Sequence, residues 1–271
     1  MTRVFDALRR TGTEMLPASL LASESFGDAH DKRLQLQSFA TATIRPGPES
    51  HLVFQLEPNG PSAERYRLLR HRLQSVRAEI HVKTLLLTSP GAKEGKSTVS
   101  LNLAAALAEK NDQRVILLEG DLRCPSLTRE LGLTPSPGLT DCPRTDTSFE
   151  QLIWRIEPFG FYLLPAGKAL DNPTELLNSE WFSTLIGKLT AYFDWVVIDA
   201  PPVLPVVDAL SLKRFADASI VVAWAGRTRQ EAITEAIRIL GRNHVLGVVL
   251  NALAKVGRNY EQYYRYYTGK G

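Results

Sequence analysis

The residues best equipped for chemistry lie in Ser89-Pro90-Gly91-Ala92-Lys93-Glu94-Gly95-Lys96-Ser97-Thr98. A glycine-rich turn between an apolar run and a helical pattern converges backbone N–H groups on one point, and the helix start adds partial positive charge there. That is a seat for phosphate. Gly91 and Gly95 allow backbone conformations and a close approach that a side chain would block. Lys96 can reach the outer two phosphates of a nucleoside triphosphate, the Ser97 hydroxyl can ligate Mg²⁺, and Thr98 can bond the innermost phosphate. The usual spacing is G-x-x-x-x-G-K-[ST]. Here Pro90 stands in the first glycine position and Gly91 comes one place late, while Gly95-Lys96-Ser97 is intact.

Phosphoryl chemistry also needs carboxylates that handle metal near the terminal phosphate. Two apolar runs end in acids. Val196-Val197-Ile198-Asp199-Ala200-Pro201-Pro202 presents Asp199, and the two prolines stop the strand. Val115-Ile116-Leu117-Leu118-Glu119-Gly120-Asp121-Leu122-Arg123 presents Glu119, Asp121 and Arg123. Glu119 and Asp121 share strand parity, so both would point the same way if extended geometry continued past Glu119.

These groups need a scaffold that brings strand ends together. Apolar strands are expected at 84–88, 115–118, 161–164, 196–198, 219–223 and 245–250, with helices at 97–109, 180–192 and 230–240. The alternation predicts an α/β fold, a mostly parallel sheet with helices on both faces. A further helix starts near Pro61 and Ser62, with Tyr66, Leu69, Leu73, Val76 and Ile80 at core-facing spacing. Residues 11–61 are rich in Ser, Ala, Pro and Gly without a sustained period. The expected organisation is a flexible N-terminal arm at 1–61, a phosphate-binding domain at 62–255 and a C-terminal tail at 256–271.

The chain has 271 residues and a formal net charge of +3, too mild to argue for nucleic acid. Its two cysteines, Cys124 and Cys142, have no metal-site or disulfide-framework spacing. The first ten residues lack the apolar core of a secretory signal, and no apolar run approaches the ~20 residues that span a bilayer. A cytoplasmic protein is expected, with any membrane role running through a partner. The tail is the strongest local bias: Tyr260, Tyr263, Tyr264, Tyr266 and Tyr267 are five of the chain's eight tyrosines.

Together these motifs resemble the bacterial tyrosine kinases, P-loop autokinases of capsule and exopolysaccharide systems akin to the MinD/ParA ATPases. The stretches from Gly91 to Ser97, Leu118 to Arg123 and Val197 to Pro202 resemble the family's Walker A, Walker A′ and Walker B motifs. Asn172-Pro173-Thr174-Glu175-Leu176-Leu177 and Gly247-Val248-Val249-Leu250-Asn251 resemble two further segments of it. The resemblance runs from about Ser62 to the C-terminus.

It implies a P-loop NTPase of the MinD/ParA-like branch that uses ATP and Mg²⁺ to phosphorylate tyrosine. The implied nucleotide site is Gly91, Ala92, Lys93, Glu94, Gly95, Lys96, Ser97, Thr98, Arg123 and Asn251, the last reading the adenine edge. Lys96, Glu119, Asp121 and Asp199 are the implied catalytic set, and Ser97, Glu119 and Asp199 the implied metal set. The tail tyrosines are the implied acceptors, phosphorylated in trans. Glu64, Arg67 and Arg70 fit the family's E-x-x-R-x-x-R oligomerisation pattern and are expected to step along one helix side, open to a neighbour's acidic surface. The implied partners are other copies of the chain in a homo-oligomer such as a ring, a membrane polysaccharide co-polymerase that activates the kinase, and a cognate phosphotyrosine phosphatase.

Two departures matter. The A′ motif usually begins with Asp, and Glu119 carries one more methylene, so either Glu119 or Asp121 takes the role of base. The signature lysine of MinD-type ATPases would fall at Gly91, with Lys93 nearby but out of register. That counts against the alternative, a MinD/ParA-type ATPase switch without kinase activity.

Overall fold

The computed structural model describes residues 39–44, 51–110, 112–134, 137–141 and 149–252. The tail tyrosines Tyr260, Tyr263, Tyr264, Tyr266 and Tyr267 lie outside the described residues, as do Cys142 and residues 1–38.

Eight strands form one sheet: β1 (Ala40–Thr43), β2 (Thr84–Thr88), β3 (Val115–Glu119), β4 (Trp154–Glu157), β5 (Phe161–Leu164), β6 (Trp195–Asp199), β7 (Ala218–Trp224) and β8 (Val245–Asn251). Their spatial order is β1-β4-β5-β3-β6-β2-β7-β8. From β5 to β8 every neighbouring pair is parallel. β4 runs antiparallel to β5 and carries β1 parallel to itself at the edge. The helices are α1 (Val53–Leu56), α2 (Pro61–Ile80), α3 (Lys96–Ala108), α4 (Leu127–Glu130), α5 (Thr174–Leu177), α6 (Glu180–Tyr192), α7 (Asp208–Lys213) and α8 (Gln230–Leu240).

The strands are apolar throughout because both faces of the sheet are covered. Leu85, Leu87, Val115, Leu117, Trp195 and Val197 pack with Val99, Leu103 and Leu107 of α3 and Leu73 of α2. Their alternates Leu86, Ile116, Leu118, Val196 and Ile198 are equally buried and, by the strand's period of two, face the opposite layer. The polar start of β2 is fixed by a carboxylate: Asp217 Oδ2 accepts from the backbone N–H of Lys83 and of Thr84 at 2.8 and 2.7 Å.

Two expectations are corrected. The arm expected to run to residue 61 contains β1 and α1, and Phe39, Ala42, Ile44 and Leu52 are buried. Tertiary contacts hold this segment. Asn102 of α3 accepts from Val53 N at 2.8 Å and donates to His51 O at 2.9 Å. Such anchors leave no local period in the sequence. In α2, Leu73 is buried and Tyr66, Leu69 and Val76 pack against the core, but Ile80 is 58% exposed at the helix end.

Register decides where the chemistry can sit. Asp199 is level with Glu119 on one side and with Leu87 on the other. β3, β6 and β2 therefore finish together, and the glycine-rich turn leaves the end of β2. Leu87 is fully buried just before that turn. Leu87→Ala is expected to cost about 2–5 kcal/mol of unfolding free energy, read by denaturant titration.

Candidate functional site

The turn after β2 is held open from both sides. Gly95 has φ +80°, so glycine is favoured by conformation, and a Cβ there would also displace the Asn251 amide from the turn. Asn251 Nδ2 donates to Glu94 O at 3.2 Å, which puts the end of β8 against the back of the turn. Glu94 is buried and braces the turn. Its Oε1 accepts from Gly91 N at 3.1 Å, and its Oε2 accepts from Thr228 Oγ1 at 2.7 Å and Trp224 N at 3.3 Å. Lys93 tolerates φ +61°, and its carbonyl accepts from Arg227 at 3.3 Å.

Lys96 opens α3 and turns toward the strand ends. Its Nζ lies 2.8 Å from Asp121 Oδ2 and 3.9 Å from Asp199 Oδ2. The same ammonium is 3.3 Å from Ser97 Oγ. Burial lowers the Lys96 pKa, but Asp199 and Asp121 outweigh it, so the ammonium is held above its ordinary value. Asp199 is buried, and burial pushes its carboxyl up despite Lys96 and the hydroxyls of Ser97 and Ser100. Ser100 Oγ donates to Asp199 Oδ1 at 3.1 Å. Ser100 was not anticipated; its place four residues after Lys96, on the same face of a helix, was the available signal.

The expected alignment of Glu119 and Asp121 does not occur. β3 stops at Glu119, and the chain turns at Gly120, where Leu122 N donates to Gly120 O at 3.0 Å. A Cβ at Gly120 would lie 3.1 Å from Asp199 O, so the tight passage suits glycine. Asp121 then meets Lys96, while Glu119 faces away. Glu119 Oε1 accepts from Ser126 N and Leu127 N at 2.6 Å each, and Oε2 accepts from Ala166 N at 2.9 Å. Burial raises its carboxyl, with these three N–H groups pulling the other way. Glu119 thus has both oxygens engaged by backbone, Oε1 at the start of α4 and Oε2 just after β5.

Arg123 does not point at the cradle. Its Nε donates to Asp208 Oδ2 at 2.5 Å and its Nη1 to Asp171 O at 2.5 Å, while Thr174 Oγ1 donates to Asp208 Oδ1 at 2.7 Å. Asp208 is buried at the head of α7, so this network ties the turn after β3 to α5 and α7.

Arg67 and Arg70 of α2 are engaged within the chain while staying partly exposed. Arg67 Nε donates to both oxygens of Glu109, and its Nη1 is 2.5 Å from Glu64 Oε1. Arg70 Nη1 donates to Ala106 O at 2.7 Å and Glu109 Oε2 at 2.8 Å. Both guanidinium groups close on the C-terminal end of α3. A cavity of about 700 Å³ opens beside the turn, lined by Tyr66 and Leu69 of α2, Lys93, Thr98, Trp224 and Asn251.

The level strand ends, the braced glycine turn and the lysine flanked by Asp121 and Asp199 define a P-loop NTPase fold suited to binding nucleotide. A septum-site-determining protein MinD from Pyrococcus horikoshii, solved with Mg-ADP, shares this fold at TM-score 0.52 and 23% identity. No protein-family model matches the chain. Tyrosine-protein kinase YwqD of Bacillus subtilis is 31% identical over 224 residues, which cover 82% of this chain and 93% of YwqD. Tyrosine-protein kinase wzc of Salmonella typhimurium is 31% identical over 222 residues, covering 81% of this chain but 31% of wzc. The kinase domain of Escherichia coli tyrosine kinase ETK superposes at TM-score 0.70 and 25% identity, over 80% of this chain and 92% of that domain. The chain belongs to the bacterial tyrosine-protein kinases. It spans most of the shorter relative and about a third of the longer one. Among the described residues no helix is long and apolar enough to cross a membrane.

Glu119 and Asp121 are therefore expected to fail differently. Glu119→Ala leaves three backbone donors unpaired and should cost about 1–3 kcal/mol of stability. Asp121→Asn takes the nearer charge from the buried Lys96 ammonium, so it should also lower the thermal midpoint, and it should remove autophosphorylation even at temperatures where the variant stays folded. Thermal melts beside a labelling assay check both.

Proposed function

We propose that the chain is an ATP-dependent protein-tyrosine autokinase that phosphorylates the tyrosine cluster of a neighbouring copy and thereby regulates capsule or exopolysaccharide synthesis or export. The observation that carries this reading is Lys96, held between Asp121 and Asp199 at the foot of the glycine turn in a chain of tyrosine-kinase ancestry.

The residues present fit Mg-ATP. The turn from Gly91 to Thr98 has the glycine conformations and helix start that suit phosphate. Ser97 and Asp199 are oxygen donors of the kind Mg²⁺ takes, with phosphate oxygens and water filling the remaining positions. Bound Mg-ATP supplies the phosphoryl group. With it bound, Lys96 would pair with the outer phosphates in place of Asp121, leaving Asp121 Oδ2 free. Asp121 then orients the incoming phenol and accepts its proton, a step that needs help because tyrosine has a pKa of about 10. Glu119 contributes by positioning α4 instead of reacting. Asn251, donating to Glu94 O, supports the turn and leaves its amide oxygen for the adenine edge.

In this reading the chain works in the cytoplasm as a homo-oligomer such as a ring. A membrane polysaccharide co-polymerase recruits and activates it, and a cognate phosphotyrosine phosphatase resets the tail. Glu64, Arg67 and Arg70 serve assembly by holding α2 against α3, so that a neighbour meets a fixed surface. No observation favours a non-kinase ATPase switch, since Gly91 stands where its signature lysine would be.

Labelled ATP and Mg²⁺, with an activator fragment present, should label the intact chain. Label should vanish in Lys96→Met and in a chain truncated before Tyr260; an intact chain that takes no label under these conditions would refute the kinase reading. Replacing Arg67 and Arg70 together with Ala should shift the mass by light scattering toward the single chain and reduce labelling in trans.

A further inference from the structure

Thr98 lies in the first turn of α3, where its hydroxyl is suited to the innermost phosphate of a nucleotide. That hydroxyl is already engaged. Thr98 Oγ1 donates to Glu130 Oε2 at 3.3 Å. Glu130 is the last residue of α4, and its Oε1 accepts from Ser126 Oγ at 3.1 Å. The helix is itself fixed by Glu119, which holds the N–H groups of Ser126 and Leu127. The acid that begins the A′ segment thus serves as an anchor, and the helix it anchors brings a different carboxylate to the cradle.

Burial pushes the Glu130 carboxyl up, and Asp199 adds repulsion, while the Ser126 and Thr98 hydroxyls and His51 pull it down. Glu130 also acts on Lys96, which places it within the electrostatic field of the cradle. A hydroxyl has a single proton to donate. While Thr98 gives it to Glu130, it cannot give it to a phosphate oxygen. A phosphate arriving at Thr98 would also meet the negative charge of the carboxylate.

We propose that Glu130 sets the nucleotide affinity of this cradle: its carboxylate holds the Thr98 hydroxyl and has to release it before the innermost phosphate of ADP or ATP is seated. The proposal rests on the nucleotide reading of the P-loop. Ser126, at the N-cap position of α4, keeps its bond to the carboxylate's other oxygen, so release of Thr98 does not require α4 to move far. The contact re-forms as product leaves, so it favours exit of ADP.

The test is calorimetric titration of Mg-ADP into the full chain, its Glu130→Ala and Glu130→Gln variants, Thr98→Val, and the Thr98→Val/Glu130→Ala double variant. Glu130→Ala is expected to bind roughly two- to tenfold tighter than the unaltered chain. In the Thr98→Val background the same change should gain less than about twofold, because the shared contact is already gone. Melting without nucleotide checks folding, and the isosteric Glu130→Gln stands in if Glu130→Ala is unfolded. Affinity that does not rise on removing the carboxylate, or a gain that persists undiminished with valine at 98, would overturn the proposal. Failure of the unaltered chain to bind Mg-ADP at all would instead overturn the nucleotide reading, and this inference with it.

Discussion

The structure is organised around a buried cation that cannot be left alone. Lys96 sits at the foot of the turn, and desolvating an ammonium is costly unless opposite charge stands close. Asp121 at 2.8 Å and Asp199 at 3.9 Å meet that requirement. Much else follows from it. β3 and β6 must end level with β2 so that their acids converge. Gly120 must be small so that the chain can turn past Asp199. Asp199 in turn needs Ser100 and Ser97, because one distant ammonium does not offset its own burial. Under the proposed function, phosphate drawing Lys96 away would leave Asp121 and Asp199 at the foot of the turn without their shared ammonium.

The central sheet was legible because its strands are continuous apolar runs that end in glycine, proline or acid. The helices at 180–192 and 230–240 match α6 and α8 in full. What escaped detection was held by tertiary contact alone. Ala40–Thr43 alternates only small residues, Ala and Thr, over four positions, too weak a pattern to reveal it, and it forms a strand because β4 offers an open edge. Trp154–Glu157 is half-exposed and short. The reversal at β4 likewise reflects a hairpin with β5, which the reading of steady strand–helix alternation had no means to include.

The site divides the same way. Residue types and spacing put forward Lys96, Ser97, Glu119, Asp121 and Asp199 as candidates, and the fold gathers Lys96, Ser97, Asp121 and Asp199 at the foot of the turn. Which atom each acid faces was not legible. Parity suggested that Glu119 and Asp121 point together, yet the strand ends between them. Charge spacing suggested that Arg67 and Arg70 point outward, yet Glu109, some forty residues on, gathers both. Glu130 carried no motif; only the fold brings it to Thr98. The extra methylene of Glu119 is used for reach, since its two oxygens span the N–H groups of α4 and of Ala166.

The arginine brace has a mechanical consequence. α3 is a rigid rod of about 20 Å. Its far end is gripped by Arg67 and Arg70 through Glu109 and Ala106 O, and its near end carries Lys96, Ser97 and Thr98. A rod clamped at one end passes force to the other with little loss. Because α2 and α3 pack directly on each other, a displacement of α2 would carry Lys96, Ser97 and Thr98 with it.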